Sequence, residues 1–258
     1  MLKISIILPN FNGDKYLEKA IQSFLDQDYN NKELIIIDGK SNDNSHQIIE
    51  NFSNLHSNII WIKEQDKGIS SAFNIGYKYA TGNIIGYLGS DDILYKGLFK
   101  EINYINSWSS FDAVYFNSYT FYINEKKCIL RKCPDIEFNL NNLLSYGTIV
   151  GWQNIYFKKE IYSRHKIDEN NQTCMDYEFY LRLCSSENLL YIKSENVATI
   201  NIFDGNISSD ASGKQIKEAA EVAEKYAKHT AYEGHLFGSL KTQNKQGFIS
   251  SIKKILKK

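Results

Sequence analysis

Four short apolar segments, separated by stretches of helical character, constrain the fold of the first half of this chain. The segments are residues 4–8, 34–37, 59–62 and 84–88. Such nearly unbroken apolar runs are typical of strands buried on both faces of a parallel sheet. Amphipathic helices are predicted between them, at residues 16–25, 46–52 and 69–80. The resulting βαβαβαβ order predicts an α/β fold with a doubly wound sheet flanked by helices.

The second half of the chain has a mixed pattern. Strands are predicted at 113–117, 120–123, 128–131, 149–157, 189–192 and 197–202, and a helix at 176–184. We therefore predict one domain over residues 1–210, with a nucleotide-binding half (1–110) and an acceptor-binding half (111–210). Residues 211–258 are predicted to be a C-terminal helical extension. Its first helix carries an apolar stripe formed by Ile216, Ala219, Ala220, Ala223 and Tyr226.

Charge and cysteine usage exclude several classes of protein. The 30 basic and 30 acidic side chains balance, so no overall positive field favours nucleic acid. The spacing of the four cysteines fits no zinc motif and indicates reduced thiols. The apolar run before Pro9 is too short for a signal peptide or a membrane span, and no later segment is long enough. We expect a cytoplasmic protein.

Glycine-rich phosphate-binding motifs are missing from the first strand–helix turn. Residues 9–13, Pro-Asn-Phe-Asn-Gly, stand where a dinucleotide-binding protein has G-x-G-x-x-G. No G-x-x-x-x-G-K-[ST] occurs either. These absences disfavour a dehydrogenase and a P-loop enzyme.

Acidic loops follow three of the predicted strands, at Asp38, at residues 64–66 and at residues 90–92. Ligands of doubly wound sheets bind beyond the carboxyl ends of the strands. Because the adjacent carboxylates of Asp91 and Asp92 repel each other, a bound Mg²⁺ or Mn²⁺ would relieve the cost of placing them together. The alternative is a turn in which Asp92 caps a helix beginning near Leu94. Asp38 either accepts hydrogen bonds from a ribose or base, or caps its own turn.

Five segments resemble motifs of the family 2 glycosyltransferases, in the order and with the spacing of that family. They are SIILPNFN (5–12), ELIIIDGKSNDNS (33–45), EQDKGISSAFNIG (64–76), GNIIGYLGSDD (82–92) and MDYEFYLRL (175–183). The resemblance runs from residue 3 to about residue 210. It implies the glycosyltransferase A fold, with a mixed sheet, and inverting chemistry of the bacterial surface-polysaccharide type.

The resemblance also implies a nucleotide site. Pro9 and Phe11 would flank the base, with the Phe11 ring stacked on it. Asp38 would accept a hydrogen bond from the base edge. Asp66 and Gly68 would border the nucleoside.

Metal and catalytic roles follow from the same resemblance. Ser90-Asp91-Asp92 matches the family's aspartate motif, with Ser90 in place of the first carboxylate. Asp91 would face the ribose and the metal, and Asp92 would ligate the Mn²⁺ or Mg²⁺ that bridges the donor diphosphate. Asp176 matches the catalytic base, which removes the acceptor proton. Its alternative is a helix-terminal aspartate whose pKa the helix dipole lowers. Glu178 is the weaker candidate for the base.

Two further segments are predicted to touch substrates. Trp152-Gln153 stands where many relatives carry His-Gln, and we expect the Trp152 ring to pack against the acceptor sugar. Residues 203–209 resemble a loop that closes over the donor diphosphate. Gly205 and Asn206 there would allow a positive φ and present backbone N–H groups to the anion. A plain turn is the alternative for this loop.

The function implied is transfer of a sugar from a nucleotide-diphosphate sugar, expected to be a UDP-sugar, to a hydroxyl of a saccharide acceptor. Surface polysaccharide or glycan biosynthesis is the expected setting. Two alternatives are a sugar-nucleotide nucleotidyltransferase and a catalytically inactive sugar-nucleotide binding module. The Gly-rich loop with a basic residue that typifies the first is missing here, and retention of Asp91, Asp92 and Asp176 disfavours the second.

The C-terminal tail is basic and amphipathic. No acidic residue follows Glu233, whereas six lysines do. In residues 247–258 a helix would gather the apolar side chains on one side and the lysines toward the other, a pattern typical of an interfacial helix. A solvated, frayed terminus is the alternative. The interfacial helix fits an enzyme with a lipid-linked acceptor at the inner face of the bacterial plasma membrane.

Deleting residues 247–258 is expected to release the protein from anionic liposomes at low salt without changing donor hydrolysis. Each lysine near an anionic surface contributes about 1 kcal/mol, and salt screens this attraction. Co-sedimentation with vesicles measures the effect. Failure of the full-length chain to bind anionic vesicles at low salt would rule out the membrane contact.

Overall fold

In the computed structural model, residues 1–105, 108–171, 173–187, 189–203, 214–230, 232, 234 and 236 are described. The strands are β1 (Ile4–Pro9), β2 (Lys32–Ile37), β3 (Ile59–Ile62), β4 (Ile84–Tyr87), β5 (Asp92–Leu94), β6 (Ala113–Tyr122), β7 (Lys127–Arg131), β8 (Ile155–Lys158) and β9 (Tyr191–Phe203). The helices are α1 (Asp14–Leu25), α2 (Ser45–Leu55), α3 (Ile69–Tyr79), α4 (Leu98–Tyr104), α5 (Leu140–Tyr146), α6 (Lys159–Arg164), α7 (Met175–Ser186) and α8 (Lys214–Thr230). A 3₁₀ turn spans Trp152–Asn154.

Among the described residues, nine strands form one mixed sheet. Its order is β3-β2-β1-β4-β8-β6-β9-β5, with β7 paired to β6. The first four strands along this order are parallel, whereas β8 runs antiparallel to both of its neighbours. The reversal of strand order on either side of β1 confirms the doubly wound prediction. Strands from both predicted halves belong to this sheet.

Alternate residues of β1 point into two apolar layers. Ile6 and Leu8 pack with α1, α2 and α4, and Ile7 packs with α3 and with the helices of the second half. All three side chains are fully buried. Burial of one such side chain stabilises the fold by about 1.5–3 kcal/mol, so both faces must be covered by helices. Because β1 to β4 are parallel, their carboxyl ends lie together at one edge of the sheet.

The segment that begins at Asp92 does not form the capped helix that was the alternative to a metal site. No helix begins near Leu94. Instead, Asp92–Leu94 forms β5, which pairs antiparallel with β9. The helix starts at Leu98, after Gly97 takes up a left-handed conformation with φ of 88°. Pairing with β9 satisfies the backbone of this segment, so Asp92 is not a helix cap.

Several boundaries in the second half differ from the prediction. The strands predicted on either side of residues 118–119 are one strand, β6, with an irregular register near Asn117. The two predicted near the end of the domain are likewise one strand, β9. The segment predicted as a strand at 149–157 contains the 3₁₀ turn and then β8. The short helices α5 and α6 were not predicted, because six or seven residues carry too little periodicity.

The helix α8 agrees with the predicted apolar stripe, whose members Ala219, Ala223 and Tyr226 are buried. Residues 204–209 of the predicted diphosphate loop and the basic tail at 247–258 lie outside the described residues. Among the helices of the described part, none has the length and apolar character needed to cross a membrane.

Candidate active site

The loops that follow β1 and β2 are joined by hydrogen bonds at the carboxyl edge of the sheet. Ser41 Oγ accepts from the backbone N–H of Asn12 at 2.8 Å, and Asp43 Oδ2 accepts from that of Asp14 at 3.0 Å. The loop after β3 packs closely against the loop after β2. A Cβ on Gly39 would lie 2.5 Å from the carbonyl oxygen of Glu64. The predicted meeting of these loops is therefore confirmed.

Asp38 lies at the centre of this junction and is fully buried. Its carboxylate accepts from Asn10 Nδ2 at 2.6 Å and from the backbone N–H of Ser41 at 3.0 Å, and its Oδ1 lies 3.2 Å from His46 Nε2. These bonds agree with the capped-turn alternative for Asp38. They join the loop after β1, which carries Phe11, to the loop after β2. Its contact with a base stays a prediction.

The remaining candidate nucleotide contacts lie at the surface of the same edge. Phe11 is 66% exposed and follows the half-buried Pro9, so its ring is accessible to a flat ligand. Asp66 Oδ1 accepts from the backbone N–H of Gly68 at 2.8 Å. Gly68 has a φ of 118°, which requires glycine, and directly precedes α3. An exposed aromatic ring and a short acidic turn thus lie on loops at the same edge of the sheet.

Asp91 and Asp92 converge above Gly89. A Cβ at Gly89 would lie 2.7 Å from Asp92 Oδ2 and 2.9 Å from Asp91 Oδ1, so these oxygens are at most 5.6 Å apart. Asp92 is buried, and its Oδ1 accepts from Asn201 Nδ2 at 2.9 Å. Burial and the negative charge of Asp91 raise the pKa of Asp92 to about 7.

This pair fits a divalent cation that also binds phosphate oxygens. Mg²⁺ is commonly held by one or two carboxylates together with the phosphates of a substrate. In the described part of the chain, no group of three or more His, Cys, Asp or Glu side chains could hold a metal ion. A cation at Asp91 and Asp92 would therefore need oxygens from a ligand.

Asp176 is the second residue of α7 and is only partly exposed. Its Oδ1 accepts from the backbone N–H of Tyr177 at 2.8 Å. Burial raises the pKa of Asp176 from 3.8 to about 6, despite the opposing hydrogen bonds. The alternative of a helix-terminal aspartate with a lowered pKa is therefore wrong. A carboxylate of this pKa is a stronger base than an ordinary aspartate and is still ionised at neutral pH.

Tyr87, at the end of β4, is within electrostatic range of Asp91, Asp92 and the candidate base Asp176. Burial raises the pKa of Tyr87, and the negative charges of Asp92, Asp91 and Asp176 raise it further. All three carboxylates therefore act on one side chain at the carboxyl edge of the sheet. The structure brings together residues that are more than 80 positions apart in sequence.

The family model for glycosyl transferase family 2 matches residues 5–175, which include most of the sheet and the loops after β1 to β4 and end one residue before Asp176. The chain belongs to this family. The chain therefore contains a glycosyltransferase domain, and its fold is the glycosyltransferase A fold predicted from the sequence motifs.

Several named proteins and solved structures are similar to this chain. The minor teichoic acid biosynthesis protein GgaB of Bacillus subtilis is 37% identical over 101 residues, which cover 38% of this chain and 11% of GgaB. The chain thus corresponds to a small part of that protein. S. aureus TarS 1–349 in complex with UDP-GlcNAc superposes with a TM-score of 0.67 at 18% identity, covering 87% of this chain and 66% of the TarS 1–349 chain. The mannosyltransferase PcManGT of Pyrobaculum calidifontis, in complex with GDP-Man and Mn²⁺, gives 0.62 at 13% identity, covering 93% and 67%.

Trp152 does not face an acceptor in this glycosyltransferase domain. Only 4% of its surface is exposed, and its ring lies 5.3 Å from those of Phe73 and Phe179 and 6.0 Å from that of Tyr180, centroid to centroid. The predicted sugar contact is therefore wrong. The ring instead joins the 3₁₀ turn to α3 and α7, the helix that carries Asp176.

Glu178 is a structural residue and not a second candidate base. It is buried, and its carboxylate forms an ion pair with Arg182, whose Nε lies 3.0 Å from Oε1. The same Oε1 accepts from the hydroxyl of Tyr226 on α8 at 2.7 Å. Gln215 Nε2, also on α8, donates to the carbonyl oxygen of Thr173 at 2.9 Å. The apolar stripe in the sequence predicted α8, but it did not indicate that α8 holds the segment before Asp176.

Tyr226→Phe is expected to lower the free energy of unfolding by about 1.5–3 kcal/mol, because it removes a hydrogen bond to a buried charged group. Chemical denaturation measures the change. Tyr104→Phe is the matched control, since Tyr104 is 71% exposed. Equal stability of the two variants would show that the Tyr226 hydroxyl does not hold α8 against α7.

Proposed function

We propose that this chain transfers a sugar from a nucleoside-diphosphate sugar to a hydroxyl of a saccharide acceptor, with metal dependence and inversion at the anomeric carbon. The observation that carries the proposal is that Asp91, Asp92 and Asp176 are all near enough to Tyr87 for their charges to raise its pKa. Two of these carboxylates suit a cation that binds a diphosphate, and the third has the raised pKa of a general base.

The donor in this proposal is a UDP-sugar. Pro9 and the exposed Phe11 ring would hold the base, and Asp66 with Gly68 would border the nucleoside. Asp38 would contact the base edge only by exchanging one of its present hydrogen bonds, since its side chain is fully buried. The complex of TarS with UDP-GlcNAc, which shares this fold, supports a uridine donor.

Asp92 and Asp91 would hold Mn²⁺ or Mg²⁺. When bound there, the cation neutralises negative charge on the departing nucleoside diphosphate. The buried position of Asp92 and the convergence of both side chains above Gly89 support this role. The Mn²⁺ complex of PcManGT supports it independently at the level of the fold.

Asp176 would accept the proton of the acceptor hydroxyl. The acceptor oxygen then forms a bond to the anomeric carbon while the bond from that carbon to the diphosphate oxygen breaks. A single displacement inverts the centre, so an α-linked donor gives a β-linked product. No covalent enzyme intermediate is required. The raised pKa of Asp176 supports the role, because base strength and ionisation are both favourable near neutral pH.

The acceptor would be a saccharide of a bacterial surface polymer, possessing a free hydroxyl and carried on a lipid. The relative named for minor teichoic acid biosynthesis supports the class of acceptor. The basic tail at residues 247–258 would bring the enzyme to the inner face of the membrane, where a lipid-linked acceptor lies.

Asp92→Ala is expected to abolish turnover and metal-dependent donor binding while the fold is retained, because one of two cation ligands is lost. Calorimetric titration with UDP in the presence of Mn²⁺ measures binding, and circular dichroism checks the fold. Asp28→Ala is the matched control, since Asp28 is an exposed carboxylate that forms an ion pair with Lys100. Full wild-type activity in EDTA, with unchanged donor affinity, would contradict the metal role.

Asp176→Asn is expected to lower kcat on the order of 10²–10⁴-fold with donor binding kept, because the amide cannot accept the proton. In the wild type, kcat/KM should fall as the pH drops below about 6, since protonation removes the base. This acid limb should vanish in Asp176→Asn and persist in Glu178→Gln, which alters a neighbouring carboxylate. Near wild-type turnover in Asp176→Asn would assign the base elsewhere.

A further inference from the structure

A chain of buried polar side chains leads from Asp92 into the sheet. Asn201 lies directly opposite Asp92 in the pairing of β5 with β9, and its Nδ2 donates to Asp92 Oδ1 at 2.9 Å. The same Nδ2 donates to Thr199 Oγ1 at 3.1 Å, and Thr199 Oγ1 donates to Asn154 Oδ1 at 2.7 Å. Thr199 is fully buried and Asn154 nearly so. The chain thus ends in the 3₁₀ turn that also contains Trp152.

The direction of these hydrogen bonds is fixed by chemistry. An amide rotated by 180° would place Asn201 Oδ1 against the Asp92 carboxylate, where two acceptors would repel each other. The Thr199 hydroxyl has one proton, which it gives to Asn154, and so presents a lone pair to Asn201. Both neighbours therefore require the nitrogen of the Asn201 amide to point toward Asp92.

The two oxygens of Asp92 consequently have different surroundings. Oδ1 is held by Asn201, whereas Oδ2 points toward the space above Gly89 and toward Asp91 Oδ1. The hydrogen bond from Asn201 to Oδ1 fixes the rotation of the carboxylate together with the hydrogen bonds that Asp92 makes with the backbone of Gly89 and Ile202. Oδ2 is thereby directed to the space that both aspartates border. An amide suits this task because it donates without carrying charge, whereas a lysine or arginine would neutralise Asp92 and compete with a cation.

We propose that Asn201 is a positioning residue that orients Asp92 for binding a divalent cation, with Thr199 fixing the orientation of Asn201. This inference rests on the proposed metal dependence. Asn201 touches neither the substrate nor the reacting atoms. Residues that orient metal ligands typically contribute 10–100-fold to metal affinity or activity. Asn201 lies outside the segment that the family model matches, so the family motifs do not point to it.

The test measures Mn²⁺ binding directly, by electron paramagnetic resonance of the unbound ion in the presence of UDP and without acceptor. Asn201→Ala is expected to raise the dissociation constant of Mn²⁺ by about 10–100-fold. Excess Mn²⁺ should restore most of kcat, because the base and the acceptor site are intact. Thr199→Val, which keeps the bond between Asn201 and Asp92 but removes its support, should give a smaller rise.

Asn117→Ala is the matched control. Asn117 is a buried asparagine on the neighbouring strand β6, and its amide bonds to the backbone of Glu195 and Cys133 rather than to Asp92. Its Mn²⁺ affinity should equal that of the wild type even if its melting temperature falls. Equal weakening in both asparagine variants would overturn the inference, since the effect would then be a general loss of stability.

Two other results separate this inference from the proposed function. A wild-type chain that binds Mn²⁺, together with an Asn201→Ala variant whose affinity stays within about twofold, overturns the role of Asn201 alone. A wild-type chain that binds neither Mn²⁺ nor Mg²⁺ with UDP overturns the metal dependence and the inference together. If Asn201→Ala fails to fold, Thr199→Val decides the matter, and unchanged Mn²⁺ affinity there counts against the inference.

Discussion

The removal of carboxylates from water at one edge of the sheet is the constraint on which the site depends. Asp92 is buried beside another negative charge, and its pKa of about 7 reflects both effects. A carboxylate in this position is costly to ionise unless a positive charge compensates it. Hydrogen bonds from Asn201 and with the backbone of Gly89 and Ile202 favour the ionised form of Asp92 and reduce this cost. A cation bound by Asp91 and Asp92, as proposed above, would offset part of the remaining cost.

The second half of the chain supplies the contacts that hold Asp92 and Asp176 in place. β5 is held at the sheet by β9, so the backbone of Asp92 depends on a strand that is more than 100 residues away. The 3₁₀ turn at Trp152–Asn154 contacts both sides of the site, through Asn154 to the chain that ends at Asp92 and through Trp152 to α7. α8 then holds α7 through Glu178. The candidate base and the metal pair are thus fixed to a common framework.

The sequence was a good guide where a local pattern determines structure. Apolar runs and helical periodicity predicted β1 to β4 with their helices, and the acidic loops then followed from the geometry of parallel strands. It was a poor guide where contacts between residues far apart in the sequence determine the structure. Nothing near Asp92 indicates that it joins a strand, because its partner is Asn201. The burial of Trp152 likewise depends on rings contributed by α3 and α7. Motif resemblance located Asp176, but only its surroundings determine its pKa.

Asp176 illustrates how two local effects compete. Its position in the first turn of α7 favours the ionised form, and interactions of this kind contribute about 0.3–1 kcal/mol. The pKa of Asp176 is nevertheless raised from 3.8 to about 6, with burial as the largest cause. Burial therefore outweighs the helix terminus. A more exposed aspartate at the same helical position would have a lower pKa and would be a weaker base. The packing of α7 against the sheet and α8 thus gives this carboxylate a basicity that its position in the helix alone would not.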